Sequence, residues 1–87
     1  MKYGQWPQIL FKSDHENWIK EESGAKRMTL RTRTRALDKR FQQLDMWIDE
    51  DIARDCEIGI FNNSTKAIFK RKITAVGKFK NVYYICW

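Results

Sequence analysis

The spacing of apolar residues changes period along this chain, and that change limits the fold to a mixture of strands and helices. Residues 27–35 alternate strictly, which is typical of a strand. One face of this strand would carry Met28, Leu30, Thr32 and Thr34, and the other would carry Thr29, Arg31, Arg33 and Arg35. Apolar residues then recur at every third or fourth position, which predicts a helix through Leu37, Phe41, Leu44, Ile48 and Ile52.

Both predicted helices have marked ends. Residues 13–16 read as a capping box in which Ser13 is the N-cap, and Gly24 stands where a left-handed residue ends a helix. The first helix is therefore predicted over residues 14–23, with Trp18 and Ile19 against the core. Acidic residues crowd the end of the second helix, where the helix dipole disfavours them, so it should end between residues 47 and 50. Met46 and Trp47 are expected to cover the core.

The rest of the chain is predicted to be β-structure. A first strand over residues 8–11 follows Pro7, a residue tolerated at strand starts. Later strands are expected over 57–61, 67–76 and 82–87, with turns at 62–64 and 77–81. The last strand should be central and covered on both faces. The predicted fold is α+β, with about five strands and two helices in the order β-α-β-α-β-β-β. These elements should form a small barrel or a strongly bent mixed sheet.

Composition indicates one small domain spanning residues 1–87. Four Trp, three Tyr and five Phe supply enough apolar area for a compact core in a chain of 87 residues. No apolar run is long enough to span a bilayer and no secretory signal is present, so we expect a cytoplasmic protein without a membrane partner. Cys56 and Cys86 are expected to be reduced. One His and no CxxC pair predict no metal site, and no cofactor is expected.

The net charge of +6 is concentrated in two blocks. Residues 24–41 hold seven basic residues and one acid, and residues 59–87 hold six basic residues and no acid. An acidic block with six carboxylates and one Arg, residues 42–58, separates them. If the basic blocks meet in the fold, they form a positive surface suited to phosphates. The alternative is a solvated surface of mixed charge.

Residues 24–31 form a candidate binding motif, G-x-K-x-x-T-x-R, where the first helix passes into the second strand. Gly24 permits close backbone approach, and Lys26 supplies a mobile charge. Arg31 supplies a planar guanidinium that can form paired hydrogen bonds to a phosphate or a base edge, and Thr29 adds a hydroxyl on the same face. We expect this motif to bind a nucleotide or nucleic acid. Further phosphates would contact Arg33, Arg35, Lys70 and Lys72. The alternative is that Arg31 pairs with Glu22 or Asp55 while Lys26 is solvated.

The motif and its position resemble those of the ASCH family of PUA-like domains. The similarity extends more loosely to residues 54–60, which stand where the family has a Gly-Asp before a strand, and to residues 70–75, which look like the strand before the closing hairpin. The resemblance implies a small PUA-like barrel that binds RNA or a nucleotide, with DNA as another possible ligand.

Some small ASCH proteins deacylate acetylated cytidine, and the resemblance therefore also raises an enzymatic hypothesis. Their Lys and Thr match Lys26 and Thr29, which would be the catalytic residues of a small amidohydrolase or nuclease. The Glu that the family activity also uses has no counterpart, because residues 75–81 contain no carboxylate. Glu57 or Glu22 would have to take the place of this family Glu. A lysine needs a lowered pKa or a nearby base to act as a nucleophile or proton carrier.

A protein partner is the third hypothesis, as in a phage- or plasmid-type accessory protein that engages a host factor. The surface considered for it is the acidic block from Asp45 to Glu57, beside Met46 and Trp47. Aromatic residues offer a different link to nucleic acid, because exposed rings stack on bases. Four are considered for stacking, although the core is the favoured location for each: Trp6, Trp18, Tyr83 and Trp87.

Overall fold

The computed structural model describes residues 8–87, which form an α+β fold with two helices and two three-stranded sheets. The elements are β1 (Gln8–Ser13), α1 (His15–Ser23), β2 (Met28–Thr32), α2 (Asp38–Asp49), β3 (Glu57–Asn62), β4 (Ile68–Lys72), β5 (Ala75–Phe79) and β6 (Val82–Cys86). Short 3-10 turns at Arg35–Leu37 and Ala53–Asp55 flank α2. The predicted strand start at Pro7 and the stacking candidate Trp6 lie outside the described residues.

The six strands are divided between two sheets. The first sheet has the order β1-β3-β4, with β1 parallel and β4 antiparallel to β3. The second has the order β2-β6-β5 and is antiparallel throughout, so β6 is central as predicted. The prediction that both faces of β6 are covered was wrong, because Val82 and Tyr84 are 38% and 41% exposed on its outer face. Strand pairing within residues 8–87 does not join the sheets into a closed barrel.

The strand count exceeds the prediction because the expected strand over residues 67–76 is two strands. The N–H of Ile73 donates to the Cys56 carbonyl at 3.0 Å, next to the first sheet, and the N–H of Thr74 donates to the Cys86 carbonyl at 2.9 Å, in the second. The chain therefore changes sheet between these two residues. The turn expected over residues 77–81 was also wrong, since β5 continues to Phe79 and only Lys80 and Asn81 form the loop.

The core lies between the sheets and α2. Alternate residues of β1 and β3 point inward, and α2 buries Phe41 and Leu44 of the predicted apolar stripe together with Trp47. The other members of the stripe are partly buried against this core: Leu37, Ile48 and Ile52. The remaining core residues come from both sheets and their connections: Ile9, Phe11, Cys56, Ile58, Ile60, Phe69, Ile73, Tyr83 and Ile85. Two predictions were wrong, because Ile19 and Met46 face solvent at 47% and 45% exposure. Each lies on the outer side of its amphipathic helix.

The helix boundaries follow the predictions closely, with one change of capping residue. Asp14 is the N-cap of α1, and its carboxylate accepts the Asn17 N–H at 2.8 Å, whereas Ser13 is buried at the end of β1. Gly24 ends α1 with φ at 88°. Helix α2 ends at Asp49, within the predicted limits, and Asp51 follows with a positive φ. No helix formed by residues 8–87 is long and apolar enough to cross a bilayer.

The outer face of the second sheet is exposed to solvent, and the described residues that form it carry no charge. The register places Leu30, Tyr84 and Gly77 in one row across the sheet, and Thr32, Val82 and Phe79 in the next. Leu30 is 60% exposed and Phe79 is 74% exposed. The Tyr84 ring lies directly over Gly77, where any side chain would collide with it.

Candidate functional site

A hollow with a volume of about 240 Å³, here called the polar hollow, lies where β1, α1 and β2 meet. Its lining includes three motif side chains, Lys26, Thr29 and Arg31. Ser13, Asp14, Asn17 and Glu21 supply further polar groups from β1 and α1. The structure therefore brings Lys26, Thr29 and Arg31 together in one concavity.

Local backbone geometry places the motif residues at this position. The left-handed conformation of Gly24 turns the chain out of α1, and the N–H of Lys26 donates to the Lys20 carbonyl at 2.9 Å. Strand β2 then begins, and Thr29 and Arg31 lie two residues apart on the same face. Thr29 is fully buried opposite Ile85, whereas Arg31 is half-buried.

Arg31 bridges the two sheets where their backbones do not pair. Its guanidinium donates to the Lys12 carbonyl at 2.6 Å, to the Ser13 hydroxyl at 2.8 Å and to the Thr29 hydroxyl at 2.9 Å. It also lies 5.1 Å from the centre of the Phe11 ring. Burial lowers the pKa of Arg31, and the negative charge of Glu21 acts in the opposite direction. The site therefore contains a positive charge held partly out of water.

Glu21 is the site residue that sequence reasoning missed. Its side chain is 1% exposed, accepts the Ser13 hydroxyl at 2.9 Å and lies 3.7 Å from the Lys26 ammonium. Helical spacing was the available signal, because Glu21 follows Trp18 by three residues and so shares its inward face. A buried carboxylate needs partners, and here they are Ser13 and Lys26.

The acids considered from sequence lie elsewhere. Glu22 lies 3.8 Å from the Arg71 guanidinium, and Glu57 accepts the Gln8 side-chain amide at 2.6 Å. Asp55 belongs to the 3-10 turn after α2 and does not line the polar hollow. The acid that acts on Arg31 is therefore Glu21, through its charge and through the intervening Ser13 hydroxyl.

The other predicted phosphate-binding residues are spread over the surface. Arg33 bonds internally to Asp38, Asp45 and Tyr83, and these hydrogen bonds raise its pKa. Arg35 lines a separate hollow at the start of α2. Lys70 and Lys72 lie on β4, at the opposite edge of the first sheet from β1. None of these four lines the polar hollow.

The aromatic residues considered for base stacking that lie within residues 8–87 pack against other parts of the fold. The Trp18 indole donates to the Ile60 carbonyl at 2.8 Å, and Tyr83 is buried. Trp87 is partly buried, with its ring 5.9 Å from that of Phe69. Of the pair considered for a protein partner, Trp47 is buried and Met46 is exposed.

No protein-family model matches the sequence, and neither a curated protein nor a solved structure is significantly similar to it. Cys56 and Cys86 are unpaired, and burial raises the pKa of the Cys56 thiol. Within residues 8–87, no three His, Cys, Asp or Glu side chains are grouped so as to hold a metal ion. The geometry and charge of the polar hollow are thus the basis on which a function can be proposed.

Proposed function

We propose that the chain binds RNA or a nucleotide in the polar hollow. The observation that carries this proposal is the convergence of the half-buried Arg31 guanidinium, the Lys26 ammonium and the Thr29 hydroxyl in one concavity. Glu21 and Asp14 add acceptors, and Asn17 adds an amide. Nucleobase edges present both donors and acceptors, so a mixed lining of this kind suits an unpaired base.

The proposed fold is an incomplete PUA-like barrel of the ASCH type, with the two sheets as its two sides. Support comes from the position of the motif, since Gly24 ends α1 and the lysine, threonine and arginine follow at the start of β2. Arg31 spans the opening between β1 and β2 by hydrogen bonds to Lys12 and Ser13. The ligand would therefore bind at the gap between the sheets.

Titration of labelled single-stranded RNA, followed by fluorescence anisotropy, tests the proposal. Binding should saturate at low salt and weaken steeply as the salt concentration rises to about 0.2 M, because phosphate contacts release counterions. Lys26→Ala should weaken binding about tenfold, since it removes a charged donor. Lys20→Ala, which removes an exposed charge from α1 outside the hollow, is the matched control. Failure to bind at low salt, or equal losses in the two variants, would refute the proposal.

A hydrolase acting on a modified nucleotide is the second candidate, and the position of Glu21 favours it. This carboxylate lies 3.7 Å from the Lys26 ammonium in the hollow that Thr29 also lines. The set therefore contains the Lys, Thr and Glu types that the ASCH resemblance assigns to deacylation, although Glu21 comes from α1. In such a reaction a water would attack the acyl carbon, Lys26 would stabilise negative charge on the acyl oxygen, and Glu21 would accept the proton of that water. Glu21 would then return the proton to the cytosine amine as the C–N bond breaks, which releases acetate and cytidine.

Incubation with acetylated cytidine, and separately with labelled RNA, distinguishes the enzyme from a binding protein. An amidohydrolase releases acetate and cytidine, whereas a nuclease shortens the RNA. Either activity should be lost in Lys26→Ala and in Glu21→Gln, with circular dichroism to show that both variants remain folded. Turnover that survives Lys26→Ala would exclude this catalytic centre.

A further inference from the structure

We infer that a second hollow, on the other side of Arg31, holds the phosphate and base of a neighbouring nucleotide. The ligand would then be a nucleotide strand and not a single nucleoside. This inference rests on the proposed function, because it extends the ligand of the polar hollow. The second hollow, here called the edge hollow, has a volume of about 280 Å³ and is lined by Leu10, Phe11, Lys12, Arg31, Leu37 and Arg40.

The two hollows are neighbours. Lys12 and Arg31 line both of them, so the two spaces adjoin at these side chains. Hydrogen bonds to the Lys12 carbonyl and the Ser13 hydroxyl fix the position of the Arg31 guanidinium. A ligand that occupies the polar hollow can therefore continue past Arg31 along the edge of β1 that pairs with no other strand of residues 8–87.

The charge of the edge hollow favours a phosphate. Three cations line it, Lys12, Arg31 and Arg40, and no acid does, whereas the polar hollow also contains Asp14 and Glu21. In the described part of the chain, the Arg40 guanidinium has no hydrogen bond or ion pair. A cation without an acidic partner beside a concavity is available to an anion of the ligand.

The backbone of β1 adds groups that can recognise a base. β1 is an edge strand, and the Ser13 carbonyl accepts the Asn63 N–H on the side of β3. The Lys12 carbonyl faces the open side, where it accepts from Arg31. Because backbone groups alternate in direction along a strand, the N–H and carbonyl of Leu10 also face the open side. They offer one donor and one acceptor next to the apolar side chains of Leu10 and Leu37.

The phosphate that links two nucleotides lies between Arg40, Lys12 and Arg31. The base of the second nucleotide lies against Leu10 and Leu37 with its polar edge toward the β1 backbone. The first base occupies the polar hollow. A free nucleoside would occupy only the polar hollow.

Calorimetric titration at low salt with uridine, uridine monophosphate and the dinucleotide UpU tests this assignment. The dinucleotide should bind most tightly and the nucleoside least tightly. Arg40→Gln should weaken dinucleotide binding about tenfold while leaving uridine binding unchanged. Lys39→Gln is the matched control, because it removes a charge from the neighbouring position of α2 without altering the edge hollow.

The outcomes separate this inference from the proposed function. Equal effects of Arg40→Gln and Lys39→Gln would show that the edge hollow is not a phosphate site. If UpU binds no tighter than uridine while Lys26→Ala still weakens uridine binding, the edge hollow is excluded and the polar hollow is retained. If no probe binds, the proposed function itself fails. Lys12→Gln provides a second variant should Arg40→Gln not fold.

Discussion

Arg31 has two functions that cannot be separated by replacing it. It satisfies the outward carbonyl of Lys12 on an edge strand and the hydroxyls of Ser13 and Thr29, and it also places a positive charge between the two hollows. Loss of this side chain would leave the Lys12 carbonyl and the Thr29 hydroxyl in need of new partners, whereas the Ser13 hydroxyl would keep its bond to Glu21. Lys26, which lines only the polar hollow, and Arg40, which lines only the edge hollow, therefore make better probes of binding.

Gly24 is predicted to be required for its backbone conformation. Its φ of 88° is strained for residues with a Cβ, so Gly24→Ala should lower the free energy of unfolding by about 1 kcal/mol. The atoms nearest to an added Cβ belong to Arg27, at 3.8 Å, so a clash is not the cause. Urea denaturation measures the loss. Gly24→Asn should lose less, because asparagine tolerates this conformation better. Unchanged stability of Gly24→Ala would contradict the argument.

Residue patterns predicted the motif but not all of its partners. The alternation of β2 placed Arg33 on the face of Arg31, yet the strand ends at Thr32 and Arg33 pairs with Asp38 and Asp45. Alternation no longer applies once the strand has ended. Glu21 was missed for a related reason: its helical position marks the inward face, but only the fold shows that β1 brings Ser13 to meet it.

At the scale of the element, hydrogen bonds and ion pairs of Asp45 hold α2 against the second sheet. Asp45 of α2 accepts from Lys78 of β5 at 2.7 Å, from the Tyr83 hydroxyl of β6 at 2.7 Å and from Arg33 at 2.9 Å. Burial acts to raise the pKa of Asp45, but these hydrogen bonds outweigh it and the pKa is lowered. Hydrogen bonding to Arg33 likewise lowers the pKa of Asp38.

This arrangement predicts acid sensitivity. Because the pKa values of Asp38 and Asp45 are lower in the folded chain than in the unfolded chain, their ionised forms stabilise the fold above about pH 4, and that contribution is lost as the pH falls through the folded values. Urea denaturation between about pH 6 and pH 2 should show a falling free energy of unfolding. Asp45→Asn should make this dependence shallower.

Glu50→Gln is the matched control for Asp45→Asn, since Glu50 follows the end of α2 and belongs to none of these bonds. It removes one carboxylate near the C-terminus of α2 and leaves Lys78, Tyr83 and Arg33 unchanged. An acid dependence that is equally steep in wild type and Asp45→Asn would show that the bonds do not stabilise α2 on the sheet.

The elements differ in how far the sequence determines them. The apolar stripe, the acidic end of α2 and Gly24 determine both helices, because these signals are local. The break between β4 and β5 has no local signal, since residues 67–76 contain no Gly, Pro, Asn, Asp or Ser that would mark a turn. Only the acceptors of Ile73 and Thr74, which are Cys56 and Cys86, show that the chain has changed sheet.

At the scale of the molecule, the two-layer arrangement predicts where stability resides. Ile58 lies on the central strand of the first sheet and is fully buried, whereas Ile68 on β4 is 49% exposed. Ile58→Val should lower the free energy of unfolding by about 1 kcal/mol, because it leaves a small cavity. Ile68→Val removes the same methylene and should change it by less than about 0.5 kcal/mol. Thermal or urea unfolding compares them, and equal losses would contradict this placement of the core.

The class of the whole fold could be predicted, but the division into two sheets could not. The spacing of apolar residues and the composition predict strands and helices and their approximate order along the chain. Which strands pair is decided by contacts between distant residues, such as the parallel pairing of β1 with β3 across an intervening helix, strand and helix. The gap that contains both hollows is a product of that long-range pairing, so only the motif beside it was visible in the sequence.

The exposed outer face of the second sheet affects how molecules of this protein associate with one another. At low ionic strength the charge of +6 keeps them apart. Salt at about 0.1 M shortens the range of that repulsion to about 10 Å, while the contact between uncharged faces, with Leu30 and Phe79 at their surface, is not weakened. The second virial coefficient from light scattering should therefore change from positive toward negative as salt is added, and dilute low-salt buffers should favour monomers.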